Sequence, residues 1–241
     1  MKNKIIGIIL VRSNSKRLPN KCFMNFGKVN VLEHIIQRCK HYDIMPVVCT
    51  SNLKIDKKII DIAKKNNIRY FRGSSQNKIM RLSKCCQKFK IKMFHTIDAD
   101  DPFFCGNEMK RSMKTLNSLS LDIVEPTRIS SNGSGLVGYS IKSEIIHKLS
   151  KKIKFNKNTE IMWKFFKKIK GLKIKSLSRS KFDFNARLTL DYLEDYIFLE
   201  TIRLILGNLT SRKKICNLLK NNPDLIKINN FRNKEWKKNQ N

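Results

Sequence analysis

Residues able to grip a phosphate chain crowd the start of the sequence. Between positions 12 and 21 the chain carries Arg12, Ser13, Asn14, Ser15, Lys16, Arg17 and Lys21. A phosphate chain needs N–H groups, hydroxyls and at least two cations converging in a small concavity. Small serines and an asparagine tolerate the tight turn such a concavity requires, and the arginines and lysines supply charge. The segment matches neither G-x-x-x-x-G-K-[ST] nor G-x-G-x-x-G. On spacing alone, a solvated basic turn stands as an equal alternative to an anion site.

Acids form the second constellation. Asp98, Asp100 and Asp101 sit side by side in the stretch DADD. Three carboxylates at such spacing repel one another unless a cation or an arginine compensates. Hard oxygen ligands near phosphate favour Mg²⁺, which keeps several waters and takes one or two carboxylates. A capped turn with solvated aspartates is the competing account. Asp191 ends the run LTLD and could aim into the same cleft. Glu194 and Asp195 follow it in the first turn of a predicted helix, where acids suit the helix dipole, and they read as structural.

These residues need elements to carry them, and the hydrophobic pattern supplies candidates. Residues 4–11 form a nearly continuous apolar run, the mark of a strand buried on both faces. Val31, Leu32, Ile35, Ile36 and Cys39 recur at helical spacing, and residues 45–50 read as the next strand. Ile55, Ile59, Ile60 and Ala63 make a second helical stripe before a short strand at 68–71. Residues 76–90 read as a helix, and 92–97 as a fourth strand running into the acids. This alternation predicts a parallel sheet with helices on both faces, whose ligands bind beyond the carboxyl ends of the strands. Both the opening loop and DADD lie at such ends.

Past residue 120 the rhythm loosens. Short strands are expected at 122–124 and 138–141, with a polar loop at 128–135 between them. Residues 158–168 read as a helix striped by Ile161, Met162, Phe165 and Phe166, and 185–191 alternates like a strand. The chain is then helical to about residue 219, with Thr210 or Ser211 as an N-cap, and the last residues read as a frayed tail.

Composition narrows the class. At 241 residues with 41% hydrophobic side chains, the chain can bury a real core. The longest apolar run is too short to span a bilayer, so a cytoplasmic protein without stable membrane association is expected. Seven cysteines without a C-x-x-C pair read as reduced, mostly buried thiols. The 51 lysines and arginines against 19 acids, a net charge of +32, suggest a polyanion partner. The lysines are spread along the whole chain, however, and aromatics do not interleave them as a stacking platform requires. Small anionic substrates, rather than nucleic acid, are the expected partners.

Four stretches then align with a known pattern. IIGIILVRSNSKRLPNK resembles the N-terminal signature of the sugar cytidylyltransferases, the acylneuraminate, 3-deoxy-manno-octulosonate and spore-coat-polysaccharide types. FRGSS with a downstream Arg81, DADDPFF and RLTLDYLED follow in the family's order, so the resemblance covers residues 4 to 200. It implies a Rossmann-like three-layer α/β/α nucleotidyltransferase fold with a mostly parallel sheet and a small inserted or dimerisation region in the second half. One domain would occupy residues 1–225, with about 125–185 serving sugar binding or dimerisation, and 226–241 would form a C-terminal tail.

The implied reaction is CTP plus a sugar acid giving CMP-sugar and pyrophosphate, for surface polysaccharide or glycan synthesis. Arg12 and Lys21 would hold the triphosphate and stabilise its developing charge. Asn14 and Ser15 would lie against the nucleotide with Arg17 nearby, and Arg81 would help at the nucleotide end. Asp100 and Asp191 would bind Mg²⁺, and the protein would work as a homodimer. The chain departs from the pattern at Val11, Ala99 and Leu193, where the family has Ala, Gly and Pro. Asp98 adds a charge, and Asp98-x-Asp100 resembles the D-x-D element of glycosyltransferases that use nucleotide-sugars. Such a glycosyltransferase is the alternative activity, and a non-catalytic RNA-binding module a more distant one. His95 reads as a core histidine, Trp163 as core or a subunit contact, and Glu160 as a residue that could face the sugar.

Overall fold

The computed structural model describes residues 4–180 and 184–238. Among the described residues, nine strands form a seven-stranded sheet and a two-stranded hairpin. In chain order they are β1 (Ile5–Leu10), β2 (Asn25–Phe26), β3 (Val29–Asn30), β4 (Ile44–Ser51), β5 (Arg69–Gly73), β6 (Met93–Asp98), β7 (Ile123–Glu125), β8 (Ser140–Lys142) and β9 (Ile174–Ser176). The large sheet runs β5-β4-β1-β6-β8-β7-β9. Every neighbouring pair is parallel except those of β8, which lies antiparallel to both β6 and β7. The mostly parallel sheet with flanking helices is the architecture the sequence pattern leads to.

The continuous hydrophobicity of β1 has a direct cause. Ile9 and Val11 enter one core layer while Ile8 and Leu10 enter the other, so neither face meets water. The first layer packs α1 (Val31–His41), α2 (Lys57–Lys65), α6 (Leu193–Leu206) and α7 (Arg212–Asn221) against the sheet. The second packs α3 (Lys78–Lys88) and α5 (Ser143–Lys152). Helix α4 (Gly106–Ser118) covers the far end with Met113 and Leu116. All seven cysteines are buried.

Helix starts follow local chemistry. Asn30 and Glu33 form a reciprocal capping box on α1, Asn77 caps α3 and Ser211 caps α7. Strand β1 lies between β4 and β6: the chain first builds outward from it through β4 to β5, then crosses back to add β6 on its other side. Leu10 pairs with Asp98 across that switch point. The loops leaving β1, β4 and β6 therefore open into one crevice.

Three expected elements differ. Residues 158–168 form only a 3₁₀ segment at Met162–Lys168. Thr159 is diverted to α3: its N–H donates to Gln76 O, and its hydroxyl donates to Asn77 Oδ1 and accepts from Ile79 N–H. Those bonds commit the Thr159 hydroxyl to α3, so it does not cap a helix beginning at the next residue. Trp163 in this segment is 53% exposed, so it is not core, while Met162 and Phe166 are buried as the stripe requires.

The alternating run at 185–191 belongs to no strand. It lies extended across the ends of other loops, with Leu188 N–H donating to Gly133 O and Leu190 N–H to Asp100 O. Its alternation separates core-facing Ala186, Leu188 and Leu190 from polar Arg187, Thr189 and Asp191. Residues 229–238 of the expected frayed tail are structured: a 3₁₀ turn at Pro223–Ile228 precedes α8 (Arg232–Lys238), and Asn229 between them is fully buried.

Candidate active site

The loop after β1 is shaped from below. Asp56, itself buried, accepts from both the N–H and the hydroxyl of Ser13, at 2.8 and 2.6 Å, and from the Ser51 hydroxyl. Ser13 O in turn accepts from the N–H groups of Ser15 and Asn20, closing the turn. Ser13 is thus a structural pin. Asn14 and Lys16 face solvent, and the Ser15 hydroxyl supports the turn by accepting from Leu18 N–H. The loop delivers Arg12, Arg17 and Lys21 to two neighbouring clusters.

Lys21 stands at the centre of the first. Its ammonium donates to Asp100 Oδ2 at 2.8 Å, to Asp191 Oδ1 at 2.9 Å and to Leu190 O at 2.7 Å, which uses all three of its hydrogens. Arg17 reaches the same Asp191 oxygen at 2.7 Å. Burial works against the charge on Lys21, but Asp100 and Asp191 outweigh it and raise its pKa above the ordinary lysine value. Asp191 shows the reverse balance: burial would raise its pKa, while Lys21 and Arg17 hold it well below the usual carboxylate range. Chain positions 170 residues apart are thereby joined by one cation.

The second cluster gathers on α3 and the 158–168 segment. Arg12 donates to Ser75 O at 2.8 Å and pairs with Glu160 at 2.9 Å. Arg81 is fully buried and donates to Ser74 O. Lys78 lies between Asp98 at 3.8 Å and Glu160 at 3.6 Å. Burial opposes its charge, but those two acids raise its pKa; Lys78, Arg12 and Arg81 lower that of Glu160 against its own desolvation.

Two acids lack such compensation. Desolvation, reinforced by Asp100 and Glu160, lifts the Asp98 pKa despite Lys78. Burial, then Asp100 and Asp98, push Asp101 well above the ordinary value. The Asp101 carboxylate lies so close to Gly135 that a Cβ there would overlap it. Carboxylates thus crowd the strand ends, and the cations among them offset that repulsion only in part.

The expected residues therefore fall into two groups. Arg17, Lys21, Asp100 and Asp191 are in direct contact; Arg12 and Arg81 sit apart, each tied to the Ser74–Ser75 turn. His95 is a buried core histidine: Nε2 accepts from Gly138 N–H, so Nδ1 carries the proton toward Ser140 Oγ, and burial pushes its pKa down to about 3. Sequence reasoning missed Lys78 and Arg187. A cation in the first turn of a helix opposes the dipole, and an arginine inside an apolar run is out of place; both were visible signals. Asp195, read as a helix-start acid, also accepts from buried Arg187.

The donor chemistry suits a hard divalent cation with limits. Asp100 and Asp191 converge on a single cationic position, now held by the Lys21 ammonium. Among the described residues no three His, Cys, Asp or Glu side chains cluster to hold a metal unaided. Phosphate oxygens and waters would have to complete the shell of an Mg²⁺-like ion.

With this geometry in place, comparison with known proteins decides the family. The family model described as cytidylyltransferase matches residues 6–164, two thirds of the chain. This chain belongs to the cytidylyltransferase family. The resemblance read from the four stretches is borne out, and with it the nucleotidyltransferase fold. Asp191 and its surroundings lie beyond the matched residues. An uncharacterised protein of Methanocaldococcus jannaschii is 27% identical over 128 residues, covering 52% of this chain and 53% of that protein, so this cytidylyltransferase chain aligns with about half the relative's length.

Solved structures show the same fold. A cytidylyltransferase from Leptospira borgpetersenii superposes with a TM-score of 0.79 at 23% identity, covering 93% of this chain and 97% of that one. A CMP:2-keto-3-deoxy-manno-octonic acid synthetase complexed with CTP gives 0.62 at 11% identity, covering 86% and 100%. A manganese complex of Rv0371C from Mycobacterium tuberculosis gives 0.58 at 12%, covering 83% and 99%.

Proposed function

We propose that this cytidylyltransferase transfers CMP from CTP to a sugar acid of the acylneuraminate or nonulosonate kind, releasing pyrophosphate. The observation that carries the reading is the Lys21 ammonium held between Asp100 and Asp191 at the mouth of the phosphate-type loop. A fold relative bound to CTP and another bound to manganese support the same ligands here.

In the reaction, a sugar hydroxyl oxygen forms a bond to the α-phosphorus, and the bond from that phosphorus to the β-phosphate oxygen breaks. Arg12, with Arg81 and Lys78 beside it, meets the triphosphate from one side. Lys21 and Arg17 meet it from the other and stabilise the charge that builds on departing pyrophosphate. Asn14 and Ser15 lie along the nucleotide. Asp100 and Asp191 would hold a divalent cation, Mg²⁺ in the cell, once the Lys21 ammonium between them turns to the triphosphate, and that ion would supply neutralisation of phosphate charge. Asp98, a carboxylate at the end of β6 whose pKa burial raises, accepts the hydroxyl proton. Residues 125–185, with Glu160 and exposed Trp163, form the sugar side or the contact between two copies of a homodimer. The cations at the site are engaged by acids rather than aligned along a groove, which favours a small substrate over nucleic acid. No helix among the described residues is long and apolar enough to cross a membrane, and we place the reaction in the cytoplasm.

The test offers CTP, ATP, GTP or UTP with Mg²⁺ and a panel of nonulosonic and octulosonic acids, and follows pyrophosphate. CTP-selective release that Asp100→Ala abolishes is the expected result. Hydrolysis or transfer of a nucleotide-sugar, with CTP inert, would instead point to the glycosyltransferase alternative.

A further inference from the structure

Asp191 lies on no strand or helix, yet each of its oxygens has a separate assignment. Oδ1 meets Lys21 and Arg17, whereas Oδ2 faces Arg187 Nη2 at 3.4 Å. The Arg187 side chain is fully buried. Its Nε and Nη2 grip Asp195 as a fork, at 2.7 and 2.9 Å. Asp195 Oδ2 also accepts from the N–H groups of Asp191 and Tyr192, at 2.9 and 3.0 Å. One buried carboxylate thus fixes both the arginine and the backbone that carries Asp191.

The chain's last described residues close this assembly from behind. Asn229 donates one amide to Asp195 Oδ1 at 2.9 Å and to Arg187 O at 3.0 Å. The Arg187 guanidinium lies 5.3 Å from the Tyr192 ring centre and 5.4 Å from that of Trp236. Arg232 clamps Glu194, one position before Asp195. Burying a charged group in this way adds little net stability, because desolvation offsets the attraction. What the network does supply is orientation: a planar fork permits one carboxylate rotation and forbids the others.

We propose that Arg187 is a positioning residue for Asp191, braced by Asp195 and by the C-terminal segment 229–236, so that Oδ1 alone is presented to the cation beside the nucleotide. The inference rests on the reading of Asp191 as a cation-binding carboxylate. Outer partners of ligating carboxylates commonly change metal affinity about 10- to 100-fold when removed.

The experiment uses the full chain with CTP and Mn²⁺ as probe. Electron paramagnetic resonance titration gives Mn²⁺ affinity in the presence of CTP, and calorimetry in chelator gives CTP affinity without metal. Asn229→Ala, Arg187→Lys and Arg187→Met are compared with wild type. Mn²⁺ affinity should fall about 10-fold or more in Asn229→Ala and Arg187→Met, less in Arg187→Lys, while CTP affinity without metal stays the same. Pyrophosphate release should recover at high Mn²⁺, raising the metal requirement and sparing kcat. Should Arg187→Met not fold, Asn229→Ala carries the decision by itself. Folded variants whose Mn²⁺ affinity stays within about twofold of wild type overturn the positioning role and leave the cytidylyltransferase reading intact. A wild-type protein that takes up no Mn²⁺ with CTP overturns both.

Discussion

Replacing Lys21 by methionine isolates the cation on which the site is built. The change keeps an unbranched side chain of similar length and removes the ammonium from Asp100, Asp191 and Leu190 O. Breaking a buried ion pair by removing one partner costs about 3–5 kcal/mol. Asp191 keeps Arg17 and Arg187, and Asp100 is partly exposed, so the lower end, about 3 kcal/mol, is expected. The pH dependence follows from the two shifts. Asp191, with a depressed pKa, contributes stability above the ordinary aspartate value of about 3.9 that is lost as pH falls through its folded value. Lys21, with a raised pKa, contributes below the ordinary lysine value of about 10.4 and loses it as pH rises through its folded value. The penalty of Lys21→Met is therefore full at neutral pH and shrinks in acid. Urea denaturation from about pH 2 to pH 8 measures it, with and without excess Mg²⁺. Mg²⁺ should recover part of the loss in the variant by taking the vacated position between the carboxylates. Catalysis should fall about 10²- to 10³-fold in either case. A penalty below about 1 kcal/mol, or one unchanged by pH, would refute the account of Lys21 as the charge that binds the two acids together.

Asp101→Asn should stabilise the fold at neutral pH by about 1 kcal/mol, because burial and two neighbouring aspartates disfavour its ionised form; the gain should fade as pH drops through its raised pKa, as thermal melts across pH would show. Glu160→Gln frees Arg12 and Lys78 from a competing carboxylate, so calorimetry should find CTP bound several-fold tighter, and weaker binding would reverse the reading of that pair. Thr159→Val removes the hydroxyl that joins Asn77 to the Ile79 N–H, for a loss of about 1–3 kcal/mol in urea denaturation. Gly138→Ala would drive a Cβ into the Thr96 carbonyl between β6 and the chain entering β8; a cost of about 1–3 kcal/mol is expected from the same measurement.

Much of this site was legible before any coordinates. The period of the apolar residues is local, set by which face of each strand or helix meets the core, so β1, α1, β4, α2 and β6 follow from neighbours in sequence alone. Strand ends carry ligands in such sheets, and Arg12, Lys21 and Asp100 were identified on that ground together with the family resemblance. The run at 185–191 shows where this stops. Alternation reports two unlike environments on either side of an extended chain, and that holds whether or not a neighbouring strand completes the ladder. In this protein the neighbours of Leu188 and Leu190 are loop carbonyls, so the pattern was read correctly and the element was not.

Contacts between distant segments were decided by the tertiary structure. The ammonium of Lys21 finds Asp191 only because β1 is sandwiched between β4 and β6 and the later chain folds back across their ends. Arg187, Asp195 and Asn229 look in sequence like a stray cation, a helix-start acid and part of a tail. Their meaning comes from burial, since a charge removed from water must find its partner wherever the fold brings one. Local spacing carries the chemistry of each residue type, whereas the identity of the partner depends on chain topology over scores of residues.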